Sequence, residues 1–157
     1  MVTFKKLTDI GQSDTVVAMM NSLYREDPAS YKEMDPSKFS NTIEHFISEP
    51  SSGSVILFIS ETKVVGYCLL VPYWSNEYGG NILFIDEIFV IPEYRGQGIA
   101  TSFFTYLEQE KPFSAVSTAL EVTKKNTRAR ILYSSLGFVP KENEMMLKSY
   151  FNVPPRK

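Results

Sequence analysis

The stretch that most constrains the fold of this chain is DEIFVIPEYRGQGIA, residues 86–100. Its apolar run at residues 88–91 predicts a buried strand, which the following proline ends. The segment RGQG, residues 95–98, then leads into a predicted helix that lacks the usual Ser, Thr, Asp or Asn cap. Because glycine lets the backbone approach a ligand closely, the free N–H groups at such a helix start can form a seat for an anion. Taken alone, the glycine pair favours an ordinary tight turn.

The composition predicts one packed domain spanning residues 1–157. A chain of 157 residues with 43% hydrophobic residues suits a single domain. The net charge of −2 and the lack of a basic block argue against nucleic acid or an anionic membrane as the main partner. No apolar run approaches the ~20 residues of a membrane span, and the opening MVTFKKLTDIG lacks the apolar segment of a signal peptide. We therefore expect a soluble cytoplasmic protein.

Two residue types that often form metal and thiol sites are scarce. Cys68 is the single cysteine and His45 is the single histidine. One cysteine excludes an internal disulfide, and the scarcity of both types argues against a Cys-His nucleophile pair and against a zinc site. Cys68 lies in an apolar strand pattern, and His45 lies off the apolar face of a predicted helix. We expect a buried inert thiol, a solvated imidazole and no metal.

Apolar spacing and turn residues predict the element order β-α-α-β-β-β-α-β-α-β-β. The predicted strands are residues 2–8, 54–60, 64–73, 81–91, 115–122, 138–139 and 144–151. The predicted helices cover residues 14–25, a segment from about residue 37 to 47, residues 99 to about 111, and residues 126 to about 135. Gly137 is placed where a left-handed helix stop belongs. No repeat or linker divides the chain.

Two motifs resemble those of one enzyme superfamily. The first is Arg-x-x-Gly-x-Ala at residues 95–100, which follows a strand with Pro-Glu-Tyr between. The second is NTRARILYSSLGF, residues 126–138, with Asn at the helix start, Ala in the middle, and then Tyr and Gly-Phe. Together with their spacing and the element order, these motifs resemble the GNAT superfamily of acyl-CoA-dependent N-acyltransferases over about residues 2–151. The resemblance implies a single α/β domain with a mixed, mainly antiparallel, seven-stranded sheet and helices on both faces.

The resemblance also implies a binding site for acetyl-CoA. In the family, the pyrophosphate of coenzyme A lies on the amides of the glycine loop, which would satisfy the uncapped N–H groups of the helix. The pantetheine pairs with backbone that is exposed where the central strand splays from its neighbour. The residues assigned in this way are Ile88, Phe89, Val90, Arg95, Gly96, Gln97, Gly98, Ile99, Ala100, Thr101, Asn126 and Tyr133.

Asp86 and Glu87 are the candidates for a catalytic base. An alkylamine is mostly protonated at pH 7, so acetyl transfer needs a group that removes a proton. A carboxylate in an apolar cleft suits this role because desolvation raises its pKa. Successive strand residues point to opposite faces, so both acids can reach one pocket only if the strand bulges. In many members of the family, an acid at one of these two positions serves as the catalytic base. We favour Asp86, with Glu87 as the alternative; either could instead be a surface acid.

Tyr133 is the candidate general acid. The departing thiolate benefits from a proton donor, and a phenol with a pKa near ~10 can supply the proton. The family's tyrosine at this motif position lies beside the sulfur, and Tyr133 matches it. The alternative is a packing aromatic beside the Ala129, Leu132 and Leu136 face. A backbone N–H near Val90 would polarise the thioester carbonyl.

The acceptor is inferred from acidic and aromatic side chains in or near the first two helices and the third strand. These residues are Glu26, Asp27, Glu33, Asp35, Tyr24, Tyr31, Trp74 and Tyr78. They suit a cation such as a polyamine, a sugar amine, an amino acid or a protein lysine, although solvated surface charge is the alternative. We expect an N-acetyltransferase acting by direct attack on a small-molecule amine. The alternatives are a protein lysine or N-terminal acetyltransferase with an open groove, and a non-catalytic acyl-CoA-binding module. A homodimer is compatible with the sequence.

Overall fold

A computed structural model describes residues 1–28, 34–143, 145–148 and 150 of the chain. Within these residues, one sheet has the strand order β1-β2-β3-β4-β5. The strands are β1 (Val2–Lys6), β2 (Ser54–Ser60), β3 (Lys63–Ser75), β4 (Gly80–Val90) and β5 (Ser117–Leu120). The α-helices are α1 (Ser13–Glu26), α2 (Pro36–Ser48), α3 (Ile99–Glu110) and α4 (Thr127–Ser135). None of the described helices is long and apolar enough to cross a bilayer.

The sheet is mixed and mainly antiparallel, as predicted. Strands β1 to β4 pair with their neighbours in antiparallel fashion, while β5 runs parallel to β4. The parallel pair is joined through α3, because parallel neighbours need a crossover connection. The observed elements confirm the first five predicted strands and all four predicted helices. Strand β5 is shorter than the predicted segment 115–122.

The prediction of seven strands is wrong for the part of the chain that the structure describes, which contains five. Residues 138–139, 145–148 and 150 form no strand, and residues 144, 149 and 151 lie outside the described residues. The apolar side chains that motivated the prediction are exposed, among them Val139 at 77%, Met146 at 92% and Leu147 at 79%. Strand propensity depends on packing against a neighbour, and no described strand covers these residues.

The sheet separates two apolar cores. On one face, side chains of α1 and α2 pack on alternate residues of β2 and β3; they include Val16, Met20, Phe39, Ile43, Val55, Leu57, Tyr67 and Leu69. On the other face, α3 packs on the intervening residues; this core includes Ile56, Phe58, Cys68, Leu70, Leu83, Phe103, Phe104 and Leu107. This alternation follows from the two-residue period of a strand, which sends successive side chains to opposite faces. The buried Cys68 thiol agrees with the expectation from its sequence context.

The central strand β4 carries a bulge at Asp86. In the pairing with β3, Leu70 lies opposite Ile85 and Leu69 lies opposite Glu87, so Asp86 is the extra residue. Without the bulge, residues 85, 87 and 89 would share one face. With it, Ile85 belongs to the α3 core while Phe89 belongs to the core beneath α1 and α2. The bulge therefore turns the second half of β4 over, at the position of the two predicted acids.

Candidate active site

Strands β4 and β5 separate halfway along β4. Their pairing ends at Ile85 and Leu120, although β4 continues for five more residues to Val90. Residues 88–90, which lie beyond the last pair with β5, line a cavity of about 1080 Å³. An unpaired strand edge of this kind offers N–H and C=O groups to an extended ligand. The residues predicted to pair with pantetheine therefore lie at a suitable edge.

The glycine loop lies on the wall of the same cavity, between β4 and α3. Gly96 and Gly98 have φ angles of 77° and 76°, which is the left-handed region that favours glycine. Gly98 is the N-cap of α3, and no side chain caps this helix. A Cβ added at Gly98 would meet no atom within 4 Å. The first N–H groups of α3 therefore lie next to open space, where a bound anion could accept their hydrogen bonds.

The Arg95 side chain is engaged by the protein. Its Nε donates a hydrogen bond of 2.7 Å to the backbone oxygen of Val90, and its Nη2 lies 2.9 Å from Oε1 of Glu26. The guanidinium carbon also lies 5.1 Å from the ring centre of Phe89. Arg95 lines the cavity, but its guanidinium ties the glycine loop to the ends of β4 and α1.

Basic side chains also line the large cavity. Lys124, Lys125 and Arg128 come from the connection between β5 and α4 and from the first turn of α4. Arg128 Nη2 lies 3.8 Å from the position that a Cβ on Gly96 would take. Asn126, predicted to bind the cofactor, lines both this cavity and the smaller one described below, and its Oδ1 caps α4 by accepting from the Ala129 N–H at 3.1 Å. Sequence reasoning missed the basic residues, although the run KKNTR was visible within a chain of slightly acidic net charge.

A smaller cavity of about 190 Å³ adjoins the large one. Both cavities are lined by Leu23, Asp27, Ile88, Asn126 and Tyr133, so these residues form the boundary between them. Four carboxylates line the small cavity: Asp27, Asp86, Glu87 and Glu121. The bulge therefore brings both predicted acids to one cavity.

Tyr133 is fixed by aromatic packing at this boundary. Its ring makes edge-on contacts with Phe104 and Phe138, each with ring centres 5.8 Å apart. Burial raises the pKa of the Tyr133 phenol, and the nearby Cys68 raises it further. The phenol therefore stays protonated at neutral pH, which is the form that a proton donor needs.

Glu87 and Asp86 have different surroundings. Both oxygens of Glu87 accept hydrogen bonds from phenols, Oε1 from Tyr24 at 2.6 Å and Oε2 from Tyr67 at 2.8 Å. Burial raises the pKa of Glu87, the two phenols lower it, and the neighbouring Asp86 raises it again. Asp86 is more exposed, yet partial desolvation raises its pKa and Glu121 adds to the effect. The burial effect is the larger cause in both acids.

Several predicted acceptor residues lie elsewhere. Trp74 and Tyr78 belong to the far end of the β3–β4 hairpin, where Trp74 is 68% exposed and pairs with Asn81. At about 3.3 Å per residue, that pair lies roughly 20 Å along β4 from Glu87. Glu26 is paired with Arg95, and Asp35 caps α2 by accepting from the Ser37 N–H. Trp74, Tyr78 and Asp35 do not line the small cavity, and their assignment to the acceptor stays a prediction. Tyr31 and Glu33 lie outside the described residues.

Comparisons with known proteins identify the family and the fold of the chain. The family model described as "Acetyltransferase (GNAT) family" matches residues 18–138. An aminoglycoside N(6')-acetyltransferase type 1 from Acinetobacter genomosp. 13 is 30% identical over 79 residues, 50% of this chain and 54% of that protein. A thialysine N-epsilon-acetyltransferase from Bos taurus is 39% identical over 75 residues, 47% of this chain and 44% of that protein. The chain thus spans about half the length of the curated relatives it matches. The crystal structure of a possible acetyltransferase from Clostridium difficile 630 has a TM-score of 0.82 at 24% identity, covering 96% of this chain and 99% of that one.

Proposed function

Because the chain belongs to the acetyltransferase (GNAT) family, we propose that it transfers an acetyl group from acetyl-CoA to a primary amine of a small cationic acceptor. The observation that carries this proposal is the pair of adjoining cavities. The large one lies beside an uncapped helix start in a glycine loop, and the small one is lined by four carboxylates. Tyr133 lies on the wall of both, at the point where a thioester and an amine would meet.

The large cavity has the features needed for coenzyme A. The N–H groups of residues 96–101 can receive the pyrophosphate, since the left-handed glycines leave open space at the start of α3. Lys124, Lys125 and Arg128 add positive charge to the lining of this cavity. The part of β4 that β5 leaves unpaired, residues 88–90, can pair with the pantetheine amides, with the Val90 oxygen already accepting one hydrogen bond from Arg95. Bound acetyl-CoA would supply an acetyl group already activated as a thioester.

The acidic lining of the small cavity supports a cationic acceptor. Carboxylates that face one another without a matching cation raise each other's pKa, and a bound ammonium group relieves that repulsion. The two curated relatives are named for acetylation of an aminoglycoside and of thialysine, and both names describe amines. The volume of about 190 Å³ suits an aminoalkyl arm or one end of a larger amine. A polyamine, a sugar amine or an amino acid falls within this class.

The chemistry follows from the side chains at the boundary. A carboxylate, Glu87 or Asp86, removes a proton from the ammonium group and leaves a nitrogen lone pair free to attack the carbonyl carbon. A backbone N–H near Val90 would stabilise the oxyanion of the tetrahedral intermediate. When the intermediate collapses, the C–S bond breaks and Tyr133 donates its proton to the departing thiolate. The nitrogen of the intermediate still carries one proton more than an amide does, and it releases that proton to solvent. The tyrosinate recovers a proton from solvent.

The proposal is tested by measuring release of the coenzyme A thiol from acetyl-CoA with a panel of amines. The panel contains a polyamine, an aminoglycoside, thialysine, a lysine peptide and a peptide with a free N-terminus. We expect turnover with at least one of the small amines and little with the peptides. Preferred turnover of a peptide would replace the proposal with a protein acetyltransferase. Tight coenzyme A binding with no turnover of any amine would favour a non-catalytic acyl-CoA-binding module.

A further inference from the structure

The Glu87 carboxylate is held by two tyrosines that come from different elements. Tyr24, on the last turn of α1, donates to Oε1 at 2.6 Å. Tyr67, in the middle of β3, donates to Oε2 at 2.8 Å. Each carboxylate oxygen therefore has one phenol donor, and each keeps one further lone pair for another partner. This fixes the plane of the carboxylate on both sides.

The two tyrosines are themselves fixed by packing. Tyr67 is fully buried at 0% exposure, and its ring centre lies 6.2 Å from that of Phe89. The ring of Tyr24 stacks on Phe39 of α2, with ring centres 5.6 Å apart and planes at 27°. The orientation of Glu87 thus depends on both helices that cover this face of the sheet. A freely mobile surface acid would have no such framework.

The charge of Glu87 has no cationic partner among the described residues. Within the described part of the chain, the ion pair joins Arg95 to Glu26 at the end of α1 and does not involve Glu87. The groups facing Glu87 are phenols and acids: Tyr24 from α1, Tyr67 from β3, and Asp86 beside it on β4. The other titratable groups that line the small cavity are Asp27, Glu121 and Tyr133. The buried thiol of Cys68 is also close enough to Glu87 and Asp86 to interact with their charges. A carboxylate surrounded in this way is open to an ammonium group that arrives with the acceptor.

We propose that Tyr24 and Tyr67 are positioning residues that hold Glu87, in preference to Asp86, as the base that accepts the proton of the acceptor amine. This inference rests on the proposed function. In the step, an N–H bond of the ammonium group breaks, an O–H bond forms on Glu87, and the electron pair of the broken bond stays on nitrogen. The proton then leaves Glu87 to solvent through the cavity before the next turnover.

The surroundings of Glu87 predict shifts of opposite sign in different variants. The two phenols stabilise the ionised carboxylate, so removing either hydroxyl raises the pKa of Glu87. Asp86 disfavours a second negative charge next to it, so Asp86→Asn lowers the pKa of Glu87. If Glu87 is the base, the acidic limb of the kcat/KM profile moves to higher pH in Tyr24→Phe and Tyr67→Phe. The same limb moves to lower pH in Asp86→Asn.

The test combines a direct titration with a rate profile. The titration follows the side-chain carboxyl carbons of ¹³C-labelled glutamate by NMR, and Glu87→Gln identifies the Glu87 signal. The rate profile measures kcat/KM against pH with the best amine found in the panel. Because a hydrogen bond to a charged group contributes about 1.5–3 kcal/mol, Tyr24→Phe should lose roughly ten-fold or more in kcat/KM on the acidic side of the limb. At higher pH, where Glu87 is ionised in both proteins and kcat/KM no longer changes with pH, Tyr24→Phe should lose much less kcat/KM.

The outcomes separate this inference from the proposed function. Upward shifts of the Glu87 titration and of the acidic limb in Tyr24→Phe, with a downward shift in Asp86→Asn, support it. An unchanged Glu87 titration in Tyr24→Phe overturns it, and so does loss of the acidic limb in Asp86→Asn. Tyr24→Phe decides the outcome if the buried Tyr67→Phe variant does not fold. Absence of turnover with every amine overturns the proposed function and the base role together, while the NMR titration still decides whether the tyrosines control the carboxylate.

Discussion

Substitution of Gly98 tests whether the start of α3 holds an anion. Gly98 is exposed and has φ of 76°, and a Cβ added there meets no atom within 4 Å. A side chain therefore fits, and its cost is the left-handed backbone, about 1–2 kcal/mol for a residue other than glycine. In a domain of this size, 1 kcal/mol lowers Tm by about 2–4 °C. We expect Gly98→Gln and Gly98→Glu to fold, with Tm lower by about 2–8 °C in both.

The comparison of the two variants isolates the charge. Glutamine and glutamate share the same shape and the same backbone strain, but only glutamate adds a carboxylate. Two like charges about 6 Å apart repel by about 3 kcal/mol at an effective dielectric constant of about 20. Solvent screening at this exposed position reduces the value, so we expect Gly98→Glu to bind coenzyme A at least about ten-fold more weakly than Gly98→Gln.

Calorimetric titration with coenzyme A at two salt concentrations measures this difference. The gap between the two variants should narrow at high salt, because salt screens an exposed charge. Equal affinity of Gly98→Glu, Gly98→Gln and the wild type would refute the assignment of the pyrophosphate to this loop. A large loss already present in Gly98→Gln would mean that shape, and not charge, excludes the cofactor.

Three further substitutions test other parts of the molecule. Tyr133→Phe should keep its acetyl-CoA affinity and lose about 100-fold or more in kcat; a kcat within about two-fold of the wild type would leave Tyr133 as a packing residue. Arg128→Gln should weaken coenzyme A binding and reduce its salt dependence, because Arg128 lines the large cavity. Arg130→Gln, on the same helix but outside the cavity lining, is its control and should bind like the wild type. Phe103→Ala removes a fully buried ring and should cost about 3–5 kcal/mol of unfolding free energy, seen as a Tm at least about 6 °C lower; a drop below about 2 °C would contradict the packing described for this core.

The parts of the site that the sequence predicted depend on local backbone chemistry. A helix that begins at residue 99 behind two left-handed glycines follows from glycine's conformational freedom and from the spacing of Ile99, Phe103 and Leu107. The apolar run before it is a strand for equally local reasons. Such features need no knowledge of distant residues. The place of the candidate anion seat could therefore be predicted from about fifteen consecutive residues.

The remaining parts depend on contacts between distant residues. Tyr24 and Glu87 are 63 positions apart, and Tyr67 and Glu87 are 20 apart, so no local pattern pairs them. The distance between Trp74 and Glu87 likewise follows from strand register and not from local sequence. Trp74 pairs with Asn81 while Leu69 pairs with Glu87, so Trp74 lies toward the other end of the β3–β4 pair.

The bulge at Asp86 explains why two adjacent acids have different environments. Leu83 and Ile85 belong to the α3 core before the bulge, whereas Phe89 belongs to the core beneath α1 and α2 after it. Because residues 82–85 and 88–91 are unbroken apolar runs, the sequence does not mark this change of face. The extra residue turns Glu87 toward α1 and its phenol donors, and it leaves Asp86 facing Glu121. One acid therefore gains donors that stabilise its charge, while the other gains a second acid that opposes it. Pairs of carboxylates whose surroundings differ in this way commonly divide the roles of base and bystander or acid. The opposite pH shifts expected for Tyr24→Phe and Asp86→Asn follow from this single inserted residue.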